Sequence, residues 1–268
     1  MKKYFIFILL FFCLSPCLFA ATFNFSSKKE KMEQIAIQNP LRDIRVGEKL
    51  YFDVSWMGVN VGYGEIEVKE KTTVNGREAY HIIAMAQTNQ VLSLLYPVRD
   101  EAHSWVDAGT FYSLKFRKIL SEGRYRADEE LEFHPELKKA FYRSYKNGAR
   151  KEFEIAGPVH DIVSAFYWFR LQEASPGLGV RTIVNSEEEN WDLEIKTLGL
   201  QTKVIRGLGS APTLCVEPKT SLKGALYSRG RVWVYFTADK YRRPVWFLFK
   251  TPFGPVNGVL NVRNSSVA

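Results

Sequence analysis

The chain has 268 residues, 46% of them hydrophobic, with 37 basic and 29 acidic side chains and a formal charge of +8. That apolar content is too high for a disordered chain and is enough for one large β domain or two smaller ones. Three cysteines, Cys13, Cys17 and Cys215, are too few for a disulfide framework.

The N-terminus reads as a secretory signal over residues 1–20. Lys2 and Lys3 give a basic start, Tyr4 to Phe12 an apolar run, and Ala20 and Ala21 a small-residue cleavage site. The expected product is a soluble protein of the bacterial periplasm or envelope space. That location removes ATP-driven, nucleotide-cofactor and DNA chemistry, so no nucleic-acid partner is expected. Leu14-Ser15-Pro16-Cys17 half-resembles a lipobox, although Pro16 stands where that motif wants a small residue. The alternative product is therefore a lipoprotein tethered at Cys17. The apolar run is shorter than the roughly 20 residues that span a bilayer, and no later segment is long enough, so no transmembrane span is expected. Without the signal, 35 basic and 29 acidic residues leave +6. In an exported protein this excess suits anionic lipid head groups or polyanionic glycans, or simply solubility. Cys215 would then be alone, in the strand-like Pro212–Val216, as a buried inert thiol.

Residues 21–45 read as a poorly ordered leader with a charged run at Ser26–Lys31. A single β-rich domain is expected over 46–264. Leu50, Phe52, Val54 and Trp56 share one parity, the signature of a strand with a buried face. Gly58, Gly62 and Gly64 break or bend the chain, and Ile66 and Val68 then alternate with Glu65, Glu67 and Lys69. Asn75-Gly76 predicts a type I′ hairpin, and Asn147-Gly148 repeats the signal. Strand-like runs near 79–87, 102–107, 111–120, 124–133 and 138–145 predict antiparallel meanders.

One segment departs from this period. Asp161 to Gln172 reads as a helix, preceded by Pro158, capped by Asp161 and followed by Pro176-Gly177. Its large apolar residues point almost all round, which predicts burial all round; a continuous buried strand is the competing reading. Strands resume at Trp191, Leu193 and Ile195. Val232–Phe236 and Val245–Phe249 are apolar on both parities. Such strands are covered on both faces, by the helix, another sheet layer or an apolar ligand. The predicted fold is mainly β: an antiparallel, strongly curved sheet or open barrel wrapped around one buried helix at about 160–173.

Four blocks carry a family resemblance. Gly47-Glu48-x-Leu50-Tyr51-x-x-x-x-Trp56-x-Gly58-x-x-x-Gly62 comes first, then Ser93-x-Leu95-Tyr96-Pro97-Val98-x-Asp100. Asp161-x-x-Ser164-Ala165-x-Tyr167-x-x-Arg170 follows, and the last is Val232-x-Val234-x-Phe236-Thr237-x-Asp239-x-x-x-Arg243-Pro244. In this order they resemble the uncharacterised bacterial family DUF3108. The resemblance implies an exported β-rich protein and supplies no activity.

No chemistry-bearing motif stands out. His81, His103, His134 and His160 lack helical zinc spacing, and there is no G-x-S-x-G elbow, P-loop or EF-hand pattern. Gly207-Leu208-Gly209 reads as a turn and Glu187-Glu188-Glu189 as a solvated loop. No metal, cofactor or catalytic residue is assigned, and a non-enzymatic role is expected. Polar residues beside apolar runs are costly unless paired. Arg170 is therefore expected to pair with Asp161, Asp100 or Asp239. The candidate ligand-binding set is Arg170, Asp161, Tyr167, Trp233, Trp246, Arg242 and Arg243, with Arg242 and Arg243 at the mouth of an apolar cavity. The functional expectation is an envelope protein that binds or carries a lipid or other amphiphile. The alternatives are an assembly factor contacting other envelope proteins and a hydrolase of envelope polymers.

Overall fold

The structure, a computed structural model, describes residues 44–222, 225–227 and 230–266. The signal segment, its cleavage site, Cys17 and the leader up to residue 43 lie outside the described residues. Among the described residues no helix is long and apolar enough to cross a membrane.

The chain forms one long antiparallel sheet. Its first half is a meander: β1 (Lys49–Trp56), β2 (Val59–Val74), β3 (Arg77–Thr88), the one-turn helix α1 (Gln90–Ser93), β4 (Arg99–Asp107), β5 (Ser113–Glu122), β6 (Tyr125–His134), β7 (Lys139–Ser144) and β8 (Arg150–Glu154). Helix α2 (Ile162–Arg170) follows. The second half is β9 (Gly179–Ser186), β10 (Glu189–Ile205), β11 (Gly209–Leu222), β12 (Ala225–Tyr227), β13 (Arg231–Thr237), β14 (Pro244–Thr251) and β15 (Gly254–Leu260). The strand order is β8-β7-β6-β5-β4-β3-β2-β1-β15-β14-β13-β11-β10-β9, with β12 attached to β11. The two halves meet at β1 and β15, paired from Phe52–Leu260 to Trp56–Val256.

The sheet curls without closing. Register shifts at Val54/Ser55, Val68/Glu70, Thr197/Gly199 and Tyr235/Phe236 bend the strands. Its two end strands approach one another without forming a ladder. They are linked through a parallel bridge from His160 to Val184, a hydrogen bond from Asn190 Nδ2 to the Glu154 carbonyl and the Lys151–Glu188 ion pair. This is the curved, open barrel that the alternating pattern predicts.

Local signals account for the turns. Asn75 and Gly76 have φ of 50° and 77°, the positive pair of a type I′ turn joining β2 to β3. Gly62 lies within β2 rather than breaking it: a Cβ there would stand 2.1 Å from the Gln87 carbonyl oxygen, so only glycine permits this close approach. Asn147-Gly148 sits in the longer β7–β8 connection, where the Gly148 N–H donates to the Ser144 carbonyl. Glu187 and Glu188 form the β9–β10 turn, and Glu188 is taken by Lys151.

Helix α2 lies inside the curl. Asp161 caps it, Oδ1 accepting from the N–H groups of Val163 and Ser164. Its ends fix its direction. Asp161 contacts Ser113, the first residue of β5, and Arg170 contacts Glu48, the residue before β1. The helix therefore crosses the end of the barrel where β1 and β5 begin, closing that end. Val163 and Tyr167 pack with Leu50, Phe52, Tyr80 and Ile82 of the first half. Ala165 and Phe169 pack with Leu193, Ile195, Leu214 and Phe236 of the second. Ile44 joins the first of these clusters, so the ordered domain starts before residue 46.

Candidate functional site

A cavity of about 140 Å³ lies between α2 and the second half of the sheet. Ile162, Phe166 and Phe169, at helical spacing i, i+4 and i+7, form its helix wall. Leu193 and Ile195 of β10, Val216 and Pro218 of β11, Val232, Val234 and Phe236 of β13, and Phe247 and Phe249 of β14 form the opposite wall; Ile66 and Ala84 close a third side. Every lining residue is apolar. The cavity is partly open, and Val232 and Phe249 lie near the strand ends remote from the helix. Its size is comparable to an engineered apolar cavity of about 150 Å³ that stays dry and admits benzene.

The period-two pattern explains the lining. Val232, Val234 and Phe236 share the inward parity of β13, and Phe247 and Phe249 that of β14. The outward parity of the same strands carries Trp233, Tyr235 and Trp246. Cations cover these rings instead of a second sheet layer. Lys203 Nζ lies 4.0 Å from the Tyr235 ring centre and 4.7 Å from that of Trp246, while Arg231 and Lys250 lie over Trp233 at 4.5 and 5.3 Å. Cys215 is buried beside Tyr235.

None of the seven residues proposed from sequence lines the cavity. Trp233 and Trp246 are on the outer face. Arg170 does pair with a carboxylate, but the partner is Glu48, not Asp161, Asp100 or Asp239. Its Nη1 donates to Oε1 at 2.5 Å and its Nη2 to Oε2 at 2.8 Å. The Tyr167 hydroxyl donates to the same carboxylate at 3.3 Å. Burial pushes the Glu48 carboxyl up, but Arg170, and more weakly Arg243, outweigh it and hold the group below its ordinary range. Helical spacing places Tyr167 and Arg170 together on one stripe with Val163, to the side of the Ile162–Phe166–Phe169 wall. The partner lies 122 positions away in the chain and no local pattern marks it.

The three rejected carboxylates have their own roles. Asp239 closes the β13–β14 turn, accepting from the Thr237 hydroxyl and the N–H groups of Tyr241 and Arg242. Asp100 accepts from the Ser121 N–H, and burial pushes its carboxyl up. Asp161 is the helix cap, and its Oδ2 accepts from the hydroxyls of Ser104 and Ser113 at 2.6 and 2.5 Å.

Arg242 and Arg243 are not at the mouth. They belong to the turn joining β13 to β14, at the end that α2 closes, and the Arg242 guanidinium donates to the Gln172 carbonyl. Arg243 stacks over Tyr241 at 4.4 Å. The space among Glu48, Arg170, Tyr241 and Arg243 is about 10 Å³, too small for a ligand.

The helix N-terminus brings Ser, His and Asp together, but not as a nucleophile relay. His160 Nδ1 meets Ser164 Oγ at 3.2 Å, while both Asp161 oxygens are taken by serines and backbone N–H groups. All these residues are buried, and His160 is held between Tyr112 and Trp168. Burial pushes its imidazole down to about 3, leaving it neutral. Both oxygens of the Asp161 cap are used, and none of these residues lines the cavity. Among the described residues no group of three or more His, Cys, Asp or Glu is placed to hold a metal.

Comparison with known proteins gives a family and a fold. The family described as "Protein of unknown function (DUF3108)" matches residues 51–261. The crystal structure of a β-barrel-like protein of the domain of unknown function DUF1849, from Brucella abortus, is similar with a TM-score of 0.53. The similarity covers 81% of this chain and 96% of that one at 8% identity, a likeness of fold alone. No curated protein matches the sequence.

Proposed function

The chain belongs to the DUF3108 family of proteins of unknown function, and on that premise we propose that it binds a lipid or other amphiphile by its apolar part. The observation that carries this reading is the cavity: every lining residue is apolar, and it is partly open. A solid core would place side chains where this space lies. Ligand pockets normally add a few polar groups to an apolar wall. Here no polar side chain lines the cavity, so its occupant is an aliphatic chain end or a ring, with any polar head outside. Each buried methylene contributes about 0.8 kcal/mol.

In this reading the protein is exported and acts in the cell envelope, as the basic and apolar start of the sequence suggests. Native mass spectrometry of protein purified from its own cells, followed by lipid extraction, tests the proposal. A bound amphiphile with an acyl or aromatic tail is expected. Protein that carries no adduct and acquires none from added fatty acid contradicts it.

A further inference from the structure

The end of the barrel away from α2 carries a concentration of exposed apolar side chains. Leu94 and Leu95, just after α1, are 87% and 84% exposed, and Met57, Val59 and Phe253 are each more than 60% exposed. They come from three connections: β1–β2, β3–β4 and β14–β15. Hydrogen bonds make these loops one surface. Asn89 Nδ2 donates to the Asn60 carbonyl at 2.8 Å, and Trp56 Nε1 to the Phe253 carbonyl at 2.9 Å.

The β3–β4 loop is built to hold these side chains out. Asn89 Oδ1 accepts from the Leu92 N–H, the Ser93 hydroxyl bonds Thr88, and the N–H groups of Leu95 and Tyr96 both reach the Leu92 carbonyl. The loop thus meets much of its own backbone hydrogen-bonding demand while presenting Leu94 and Leu95 outward. A segment that enters an apolar medium must do this, since its backbone finds no water there. A flexible polar loop would not.

Basic residues flank the patch. The β5–β6 turn adjoins the loop through Gly123, whose N–H donates to the Pro97 carbonyl, and it carries exposed Arg124 and Arg126. Exposed Lys250 precedes the β14–β15 turn. Of the acids at this end, Asp100 and Glu122 are buried beneath the β3–β4 loop, Glu101 is paired with Arg99, and Glu187 to Glu189 lie on the β9–β10 turn at the far end of the strand order.

We propose that this rim docks on the surface of an anionic lipid bilayer, with Leu94, Leu95 and Phe253 entering the acyl boundary and Arg124 and Lys250 meeting the head groups. Apolar loop tips supply insertion and the cations supply charge complementarity. The site is separate from the cavity and does not require the cavity to be filled.

The test is co-sedimentation of the purified protein with phosphatidylcholine vesicles, with and without phosphatidylglycerol. Binding that rises with phosphatidylglycerol and weakens with salt is expected. Leu94→Asp with Leu95→Asp should reduce it by about tenfold or more. Leu94→Ser with Leu95→Ser adds no charge and should weaken it in the same direction. Arg124→Glu should lower only the part that depends on phosphatidylglycerol. The cavity-filling Ala84→Leu should sediment like the wild type, which separates this proposal from the preceding one. Wild-type protein that stays in the supernatant overturns the proposal, as do leucine variants with normal melts that still bind fully. A dimer in solution that the leucine variants dissociate, without vesicle binding by the wild type, would assign the rim to a second copy and also overturn it.

Discussion

Arg170, the last residue of the buried helix, places both terminal nitrogens on the carboxylate of Glu48, the residue that leads into the first strand. Both side chains are buried. The pair ties the C-terminal end of the helix to the seam where the two halves of the sheet meet, and Tyr167 adds a third contact. A buried pair of this kind contributes less through its own energy than through the cost of breaking it.

Glu48→Gln should therefore destabilise the fold by about 3–5 kcal/mol, because it leaves a charged guanidinium buried. Arg170→Met should cost less, since the remaining carboxyl can protonate. Glu48→Leu combined with Arg170→Met should recover most of the loss. Denaturant midpoints of the three variants check this. Additive losses in the double variant would show that the two groups do not act as a pair.

His160 gives the stability a pH dependence of known sign. Its folded value of about 3 lies below the ordinary 6.5, so the unfolded chain binds the proton first. The contribution is complete above pH 6.5 and is lost as pH falls toward 3. Between pH 7 and 5 the loss should be about 2 kcal/mol. His160→Phe keeps a ring between Tyr112 and Trp168 and removes the titration, so its stability should be flatter over that range. An unchanged slope would show that other groups carry it.

Gly62→Ala should destabilise by about 1–3 kcal/mol, because the added methyl meets the Gln87 carbonyl. Gly258→Ala is the control: the nearest atom to its Cβ would be 3.5 Å away, an ordinary contact. Thermal melts of both variants decide it. Equal melting temperatures would mean that β2 and β3 can separate at no cost.

The architecture was legible because period-two alternation and a capped, all-round apolar helix are local signals. Leu50, Phe52 and Val54 show which face of β1 is buried, and Asp161 marks where α2 begins. Trp56 shares that parity and yet is exposed, because it sits at the rim where the strand turns. The site was less legible. Large apolar residues on both parities of β13 do not say which parity faces the helix. The cations that cover Trp233 and Trp246 come from Lys203 and Lys250 as well as the adjacent Arg231, and only the register of β10, β11, β13 and β14 brings them together. Arg242 and Arg243 lie between two strands that are apolar on both parities, which in the sequence suggests a basic rim to an apolar space. The chain reverses between β13 and β14, which puts that turn at the closed end.

The most direct test of an apolar binding cavity is fluorescence titration with N-phenyl-1-naphthylamine, comparing wild type with Ala84→Leu. Ala84 is buried and lines the cavity, so the larger side chain takes up its space. Wild-type protein should enhance the probe's fluorescence, and added fatty acid should displace it. Ala84→Leu should fold, melt at or above the wild-type temperature, and bind the probe at least about tenfold more weakly, as expected for losing roughly 1.4 kcal/mol of apolar contact. Equal binding by both proteins, or none by the wild type, would contradict the cavity as the binding site.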